Sequence, residues 1–232
     1  MTIEDLKIFA PLYYEGLNKK RIGSNLDGGY IISYMPNDNN YDIILSGGAG
    51  NNITFEKELS LLLQKKCLLY DHTVKIPRKK HITHFCEKLD KNNFGFFNSV
   101  NKHKNIFLKL DIEGGEYEIL RTLTEDQIVK FKQIVIEIHD PHLEDRLKLI
   151  KKQLFTFHKL IHIHANNCCG TIDIKGVDIP KVMELTLVRN DTIPTNVILK
   201  SNKWYLPTNI DFPNVKSKPD IILNYYPFVS ND

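Results

Sequence analysis

Short apolar runs along this chain alternate with segments whose apolar positions recur every three to four residues, the pattern of strands separated by helices. Runs at 41–45, 66–70, 82–87, 105–111 and 133–139 read as five strands. Between the first two, Phe55, Leu59, Leu62 and Leu63 share one face of a helix over 53–66, with Asn52 or Thr54 placed to cap it. The fourth run leads through "IEGGEYEILRTL" into a loop and a helix. The fifth is followed by a helix over 142–159 carrying Leu143, Leu147, Ile150 and Leu154 on one face. Two further runs, 159–167 and 182–190, are joined by a connection too short for a crossover helix and should be antiparallel neighbours. The expected architecture is α/β, a mostly parallel seven-stranded sheet ending in an antiparallel hairpin.

The two ends read differently. Residues 3–14 pattern as a short helix, and the turn-rich stretch up to residue 40 holds a hairpin around Asp27, Gly28 and Gly29. Residues 204–232 contain Pro207, Pro213, Pro219 and Pro227 and read as an extended tail wrapping the rest. With 232 residues and 42% hydrophobic content, one domain is the economical reading: an extension over 1–40, a core over 41–200 and a tail over 201–232. No apolar run approaches a membrane span, and "MTIEDLKIF" lacks the form of a secretory leader, so a soluble cytoplasmic protein is expected. The net charge of +3 gives no argument for nucleic acid, and the tight basic group Lys75, Arg78, Lys79, Lys80 and His81 reads as a solvated loop. Cys67, Cys86, Cys168 and Cys169 show no disulfide framework, and His162, His164, Cys168 and Cys169 lack the paired spacing of a zinc finger.

Chemistry concentrates first in "IILSGGAGNNITFEKE", where an apolar run stops at Gly47, Gly48 and Gly50 just before a helix. Glycines there let a ligand approach the backbone while the helix N-terminus faces it. Asp71 closes the next strand, in the position of a carboxylate that grips ribose hydroxyls, with His72 beside it. A dinucleotide fingerprint would need a third glycine where Ile53 stands, which disfavours NAD. The looser turn resembles the S-adenosylmethionine site of methyltransferases, whose cofactor carries no pyrophosphate. A glycine turn in some other α/β protein is the plain alternative.

In an open α/β sheet the ligands gather at the carboxyl ends of the strands. Those ends carry Asp71 and His72; Asp111 and Glu113; Glu137, His139 and Asp140; and His164, Asn166 and Asn167. Carboxylates on successive strands raise one another's pKa unless a cation sits among them. Asp111, Glu137 and His139 are therefore the candidate ligands for Mg²⁺ or Mn²⁺, which would hold sugar hydroxyls and ease their deprotonation. The alternative is that these groups bond the cofactor and nearby loops without a metal. His139 and His164 are the candidate general bases, because imidazole titrates near neutral pH. Lys109 shares a strand face with Asp111 and either steadies it or lies at the surface.

Several segments together resemble the FkbM-type methyltransferases, which modify sugars and other small hydroxylated metabolites. They are "KLDIEGGEYEIL" from Lys109, "RIGSNLDGGYII" from Arg21, "LSGGAGNNITFEKEL" from Leu45, "YDHT" from Tyr70, "IVIEIH" from Ile134 and "IHIHANN" from Ile161. The resemblance implies a Rossmann-like class I methyltransferase fold and S-adenosylmethionine bound by Gly47, Gly48, Gly50 and Asp71. Asp111 and Glu113 would line that site, and Asp27, Gly28 and Gly29 would fold over the cofactor. It implies O-methyl transfer to a sugar or glycan, with Asp111 in the catalytic set. A lipid, peptide or other small metabolite is the alternative acceptor, and a non-catalytic binding module the alternative class. No base-flipping motif of the Asn/Asp-Pro-Pro-aromatic type is present, so no nucleic-acid substrate is expected. Oligomeric state is not specified by the sequence.

Overall fold

The structure is a computed structural model that describes residues 2–34, 40–193, 195, 197–200 and 205–229. The expected first helix is shorter than its pattern: a 3₁₀ helix, Glu4–Phe9, buries Leu6 and Phe9 and stops. Pro11, two residues on, has no N–H to continue it. The chain then forms β1 (Tyr13–Glu15) and an antiparallel hairpin of β2 (Lys19–Gly23) and β3 (Gly29–Ser33), whose turn holds Asp27 and Gly28.

The alternating region follows in the expected order: β4 (Ile43–Gly47), α1 (Thr54–Leu63), β5 (Cys67–Tyr70), β6 (Ile82–Phe85), α2 (Phe94–Lys102), β7 (Ile106–Leu110), α3 (Glu116–Thr122), α4 (Glu125–Ile128), β8 (Phe131–His139) and α5 (Glu144–Gln153). Neither α2 nor the single turn α4 is foreshadowed by periodicity. Helix α2 starts where the Asn93 side chain accepts the Phe96 N–H at 3.0 Å. The connection after β9 (His158–Ala165) is not plain loop but a small hairpin, β10 (Thr171–Ile174) and β11 (Val177–Pro180), reversed at Lys175 and Gly176. It leads into β12 (Val182–Arg189), and a short β13 (Ile198–Lys200) pairs with β1. The described part of the tail, 205–229, contains turns and extended chain only.

Seven strands form the central sheet in the order β6-β5-β4-β7-β8-β12-β9. Pairing from β6 through β8 is parallel, and β12 runs antiparallel to both β8 and β9. Alternate residues feed two apolar layers, as the pleat requires. Ile44, Phe107 and Val135 pack against Phe55, Leu59 and the hairpin's Tyr30 on one face. Leu45, Leu108 and Ile136 pack against Phe96, Ile119 and Leu147 on the other. Covered on both faces, these strands read as continuous apolar runs rather than alternating ones. The hairpin is tied to the sheet where Thr186 donates to the Ile31 carbonyl at 2.6 Å and the Ser33 N–H donates to Gln133 at 2.7 Å. Among the described residues no helix is long and apolar enough to cross a membrane.

Candidate active site

The cavity sits at the carboxyl ends of β4, β5 and β7 and has a volume of about 650 Å³, within the range of small-molecule sites. Its floor is the glycine turn. Gly48 has φ +71°, and a Cβ there would fall 1.7 Å from the Asp111 carbonyl oxygen, so the β4 and β7 turns touch backbone to backbone. Gly50 has φ +51° and nothing within 4 Å of its would-be Cβ, so it faces open space. Asp71 clasps this turn: one carboxylate oxygen accepts the N–H groups of Ala49 and Gly50, each at 2.9 Å. The other accepts the Thr73 N–H at 2.8 Å and hydroxyl at 2.6 Å. Burial alone would raise the Asp71 pKa, but the bonds from Thr73, Ala49 and Gly50 outweigh it and hold the group below its ordinary value.

Beside the turn lies a buried charge cluster. The Lys109 ammonium, 2% exposed, donates to the Gly48 carbonyl and stands 3.5 Å from Asp111 and 3.9 Å from Glu56. Burial pushes its pKa down, yet Asp111, Glu56 and Glu137 together hold it above the usual value. Lys109 is therefore a buried counter-ion and not a surface lysine. The Tyr30 hydroxyl donates to the same Asp111 oxygen at 2.5 Å, and burial with the Asp111 charge keeps that phenol protonated. Glu56 accepts from the Ser46 hydroxyl at 2.7 Å through one oxygen, while its other oxygen has no hydrogen-bond partner. Burial raises the Glu56 pKa.

Of the residues singled out from sequence, Asp27, Gly28, Gly48, Gly50, Asp71, His72, Lys109, Asp111 and Glu113 line this cavity. Gly47 backs it, and Gly29 packs inside the hairpin, where a Cβ would meet the Ser24 carbonyl at 1.9 Å. Tyr30 and Glu56 line it too and were not foreseen. Tyr30 follows the "DGG" turn and carried that weak signal; Glu56, a lone polar residue on a helix, carried none.

Glu137, His139 and His164 lie outside the lining. His139 Nε2 is 3.5 Å from both Glu113 and Glu137, and Nδ1 is 3.6 Å from Glu116. The Glu116 contact raises its pKa against the effect of burial, favouring imidazolium. Glu137 accepts from Asn166 at 2.8 Å, and burial plus the charges of Asp111 and Glu184 push its pKa up to about 9. Among the described residues no group of three or more His, Cys, Asp or Glu is arranged to hold a metal ion. The expected Mg²⁺ or Mn²⁺ set of Asp111, Glu137 and His139 is not gathered in this structure: Asp111 turns to Lys109 and Tyr30, and Glu137 turns to Asn166.

His164, the other expected base, stands away from the cavity. Its ring is clamped between Glu184 at 3.3 Å and Asp220 at 3.1 Å; burial opposes the charge, but the two carboxylates raise its pKa to about 10. An imidazole already protonated and bonded at both nitrogens accepts no proton at neutral pH. Its neighbour His162 meets Asp211 at 2.8 Å. Both histidines thus pin the C-terminal tail to β9.

A parallel sheet with one reversed strand inserted next to its edge, together with a glycine turn after the first core strand, defines a Rossmann-like class I, S-adenosylmethionine-dependent methyltransferase. The chain belongs to the FkbM methyltransferase family: the methyltransferase FkbM domain matches residues 14–164. No curated protein sequence matches it significantly. Solved structures resemble it at low identity. The fibrillarin/Nop5p complex shares 12% identity at a TM-score of 0.40, over 78% of this chain and 98% of that one. The precorrin-6y C5,15-methyltransferase from Geobacter metallireducens GS-15 shares 11% at 0.38, over 64% and 82%. MycE methyltransferase of the mycinamycin biosynthetic pathway, in complex with Mg and SAH, shares 14% at 0.36, over 69% and 46%.

Proposed function

We propose that this protein is an O-methyltransferase that moves a methyl group from S-adenosylmethionine to a sugar hydroxyl, in a glycan. The observation that carries this reading is Asp111, a carboxylate 20% exposed at the cavity, fixed by Tyr30 and Lys109 against the glycine turn. The cavity fits the cofactor: Gly48 has no room for a side chain, Gly50 opens onto the space, and buried Glu56 has an unpartnered oxygen for a cationic group. When bound, S-adenosylmethionine supplies an electrophilic methyl group on its sulfonium.

The Gly48–Gly50 turn and Asp71 hold the cofactor's nucleoside part. With all four of its acceptor positions filled, Asp71 meets ribose only by exchanging the Thr73 bonds. Asp27 and Gly28 of the hairpin turn cover the cavity from the other side. Asp111 accepts the proton of the acceptor hydroxyl as the oxygen gains the methyl group. The His139 imidazole and the exposed Glu113 carboxylate, 3.5 Å apart, offer further polar groups suited to a polyhydroxylated ring. Positioning supplies much of the rate in such a transfer. The four free cysteines accord with a reducing compartment, the cytoplasm.

The test is transfer from methyl-labelled S-adenosylmethionine to panels of oligosaccharides, lipids and peptides, with Asp111→Asn as control. Label in a sugar, lost in the variant, is the expected result. Label in lipid or peptide only would overturn the acceptor assignment. Failure to bind either S-adenosylmethionine or S-adenosylhomocysteine would leave a non-catalytic module.

A further inference from the structure

The cavity is electrostatically lopsided. Its lining carries Asp27, Glu56, Asp71, Asp111, Glu113 and Glu118, against Lys88 and Lys109. Solvent screens the rim, where the Glu113 side chain is 88% exposed, so the inner groups dominate. Inside, Glu56, Asp71 and Asp111 face a single buried ammonium, that of Lys109. The geometry of Glu56 reports the same imbalance: it is 1% exposed and lines the cavity, yet one of its oxygens has no hydrogen-bond partner.

Methyl transfer changes the charge of the cofactor. S-adenosylmethionine carries a sulfonium, an ammonium and a carboxylate and is a net cation, whereas S-adenosylhomocysteine has lost the sulfonium charge and is net neutral. The methyl carbon bonds to the acceptor oxygen, the S–CH₃ electron pair stays on sulfur, and the hydroxyl proton leaves through Asp111 to solvent. One positive charge thus disappears from a cavity that has too few.

We propose that the carboxylates of this cavity, which outnumber the Lys109 ammonium that Glu56 and Asp111 share, select the cationic cofactor over its neutral product and so favour product release. This rests on the cofactor assignment proposed above. Interaction of unit charges in a partly buried site is large enough to set a tenfold preference, and it weakens with ionic strength.

The experiment is titration calorimetry of the full chain with three probes: S-adenosylmethionine, S-adenosylhomocysteine, and sinefungin, which carries an amine in place of the methylsulfonium. At low salt both cations should bind at least tenfold more tightly than S-adenosylhomocysteine. That advantage should shrink at least threefold in 0.5 M salt and at least threefold in Glu56→Gln. Circular dichroism checks that the Glu56→Gln chain folds. If it does not, Asp111→Asn replaces it, with the same threefold shrinkage of the preference expected. S-adenosylhomocysteine binding as tightly as the cations, or a preference indifferent to salt and substitution, overturns the inference while leaving the cofactor assignment intact. Binding of none of the three overturns the cofactor assignment and the inference with it.

Discussion

Replacing Asp71 by Ala removes the acceptor that the glycine turn is built on. Two backbone N–H groups, Ala49 and Gly50, lose a carboxylate oxygen at 2.9 Å, and Thr73 loses bonds at 2.8 and 2.6 Å. A hydrogen bond to a charged group is worth about 1.5–3 kcal/mol. Water entering the cavity will re-satisfy the freed N–H groups in part, so about 1–3 kcal/mol is left for the two turn bonds together. If the turn must be reordered before the cofactor binds, affinity for S-adenosylhomocysteine falls roughly 5- to 150-fold. Calorimetry on folded Asp71→Ala protein measures it directly. The same bonds depress the Asp71 pKa in the folded state, so their stability is present above the unfolded carboxylate value and lost as pH falls through the folded one. Wild-type affinity should accordingly decline on acidification below about pH 4, the ordinary Asp range. An Asp71→Ala protein that binds within twofold of wild type would refute the idea that the clasp shapes the site.

Lys109→Met leaves Glu56 buried without its cation and should cost about 3–5 kcal/mol in denaturant unfolding, with most recovered in the Lys109→Met/Glu56→Gln double variant. Gly48→Ala forces a side chain into φ +71° and against the Asp111 carbonyl, so it should cost about 2 kcal/mol or more and abolish calorimetric binding. His164 has a folded pKa near 10 against 6.5 ordinarily, so its stabilisation is complete below pH 6.5 and is lost as pH rises through 10. Thermal melts should therefore show a fall in Tm between pH 7 and pH 10 that is flattened in His164→Gln, which also melts lower at pH 7.

The strands were readable because burial on both faces leaves them continuously apolar; Phe131–His139 is buried along nearly its whole length. Helix α2 was not, since "FGFFNSVNK" mixes Gly and Asn with aromatics and draws its start from the Asn93 cap. The β10–β11 hairpin hid in a connection whose only marker was Lys175–Gly176. In the site, the glycine turn, Asp71 and Asp111 could be placed because they terminate strands. Tyr30 could not, because its bond to Asp111 spans 81 positions of sequence. Sequence places histidines and carboxylates at the strand ends but does not show their partners. One of the two carboxylates that hold His164 protonated lies 56 positions away, at Asp220.

The place of β12 also constrains the order in which the chain can assemble. Residues Val182–Arg189 lie between β8 and β9, and among the described residues β9 pairs with no other strand of the sheet. Until that segment leaves the ribosome, β8 presents an open edge and β9 has nowhere to dock. The nascent chain therefore carries an unfinished five-stranded parallel sheet, β4 to β8, through the synthesis of about fifty further residues. The family's matched region ends at residue 164, ahead of the strand that closes the structure.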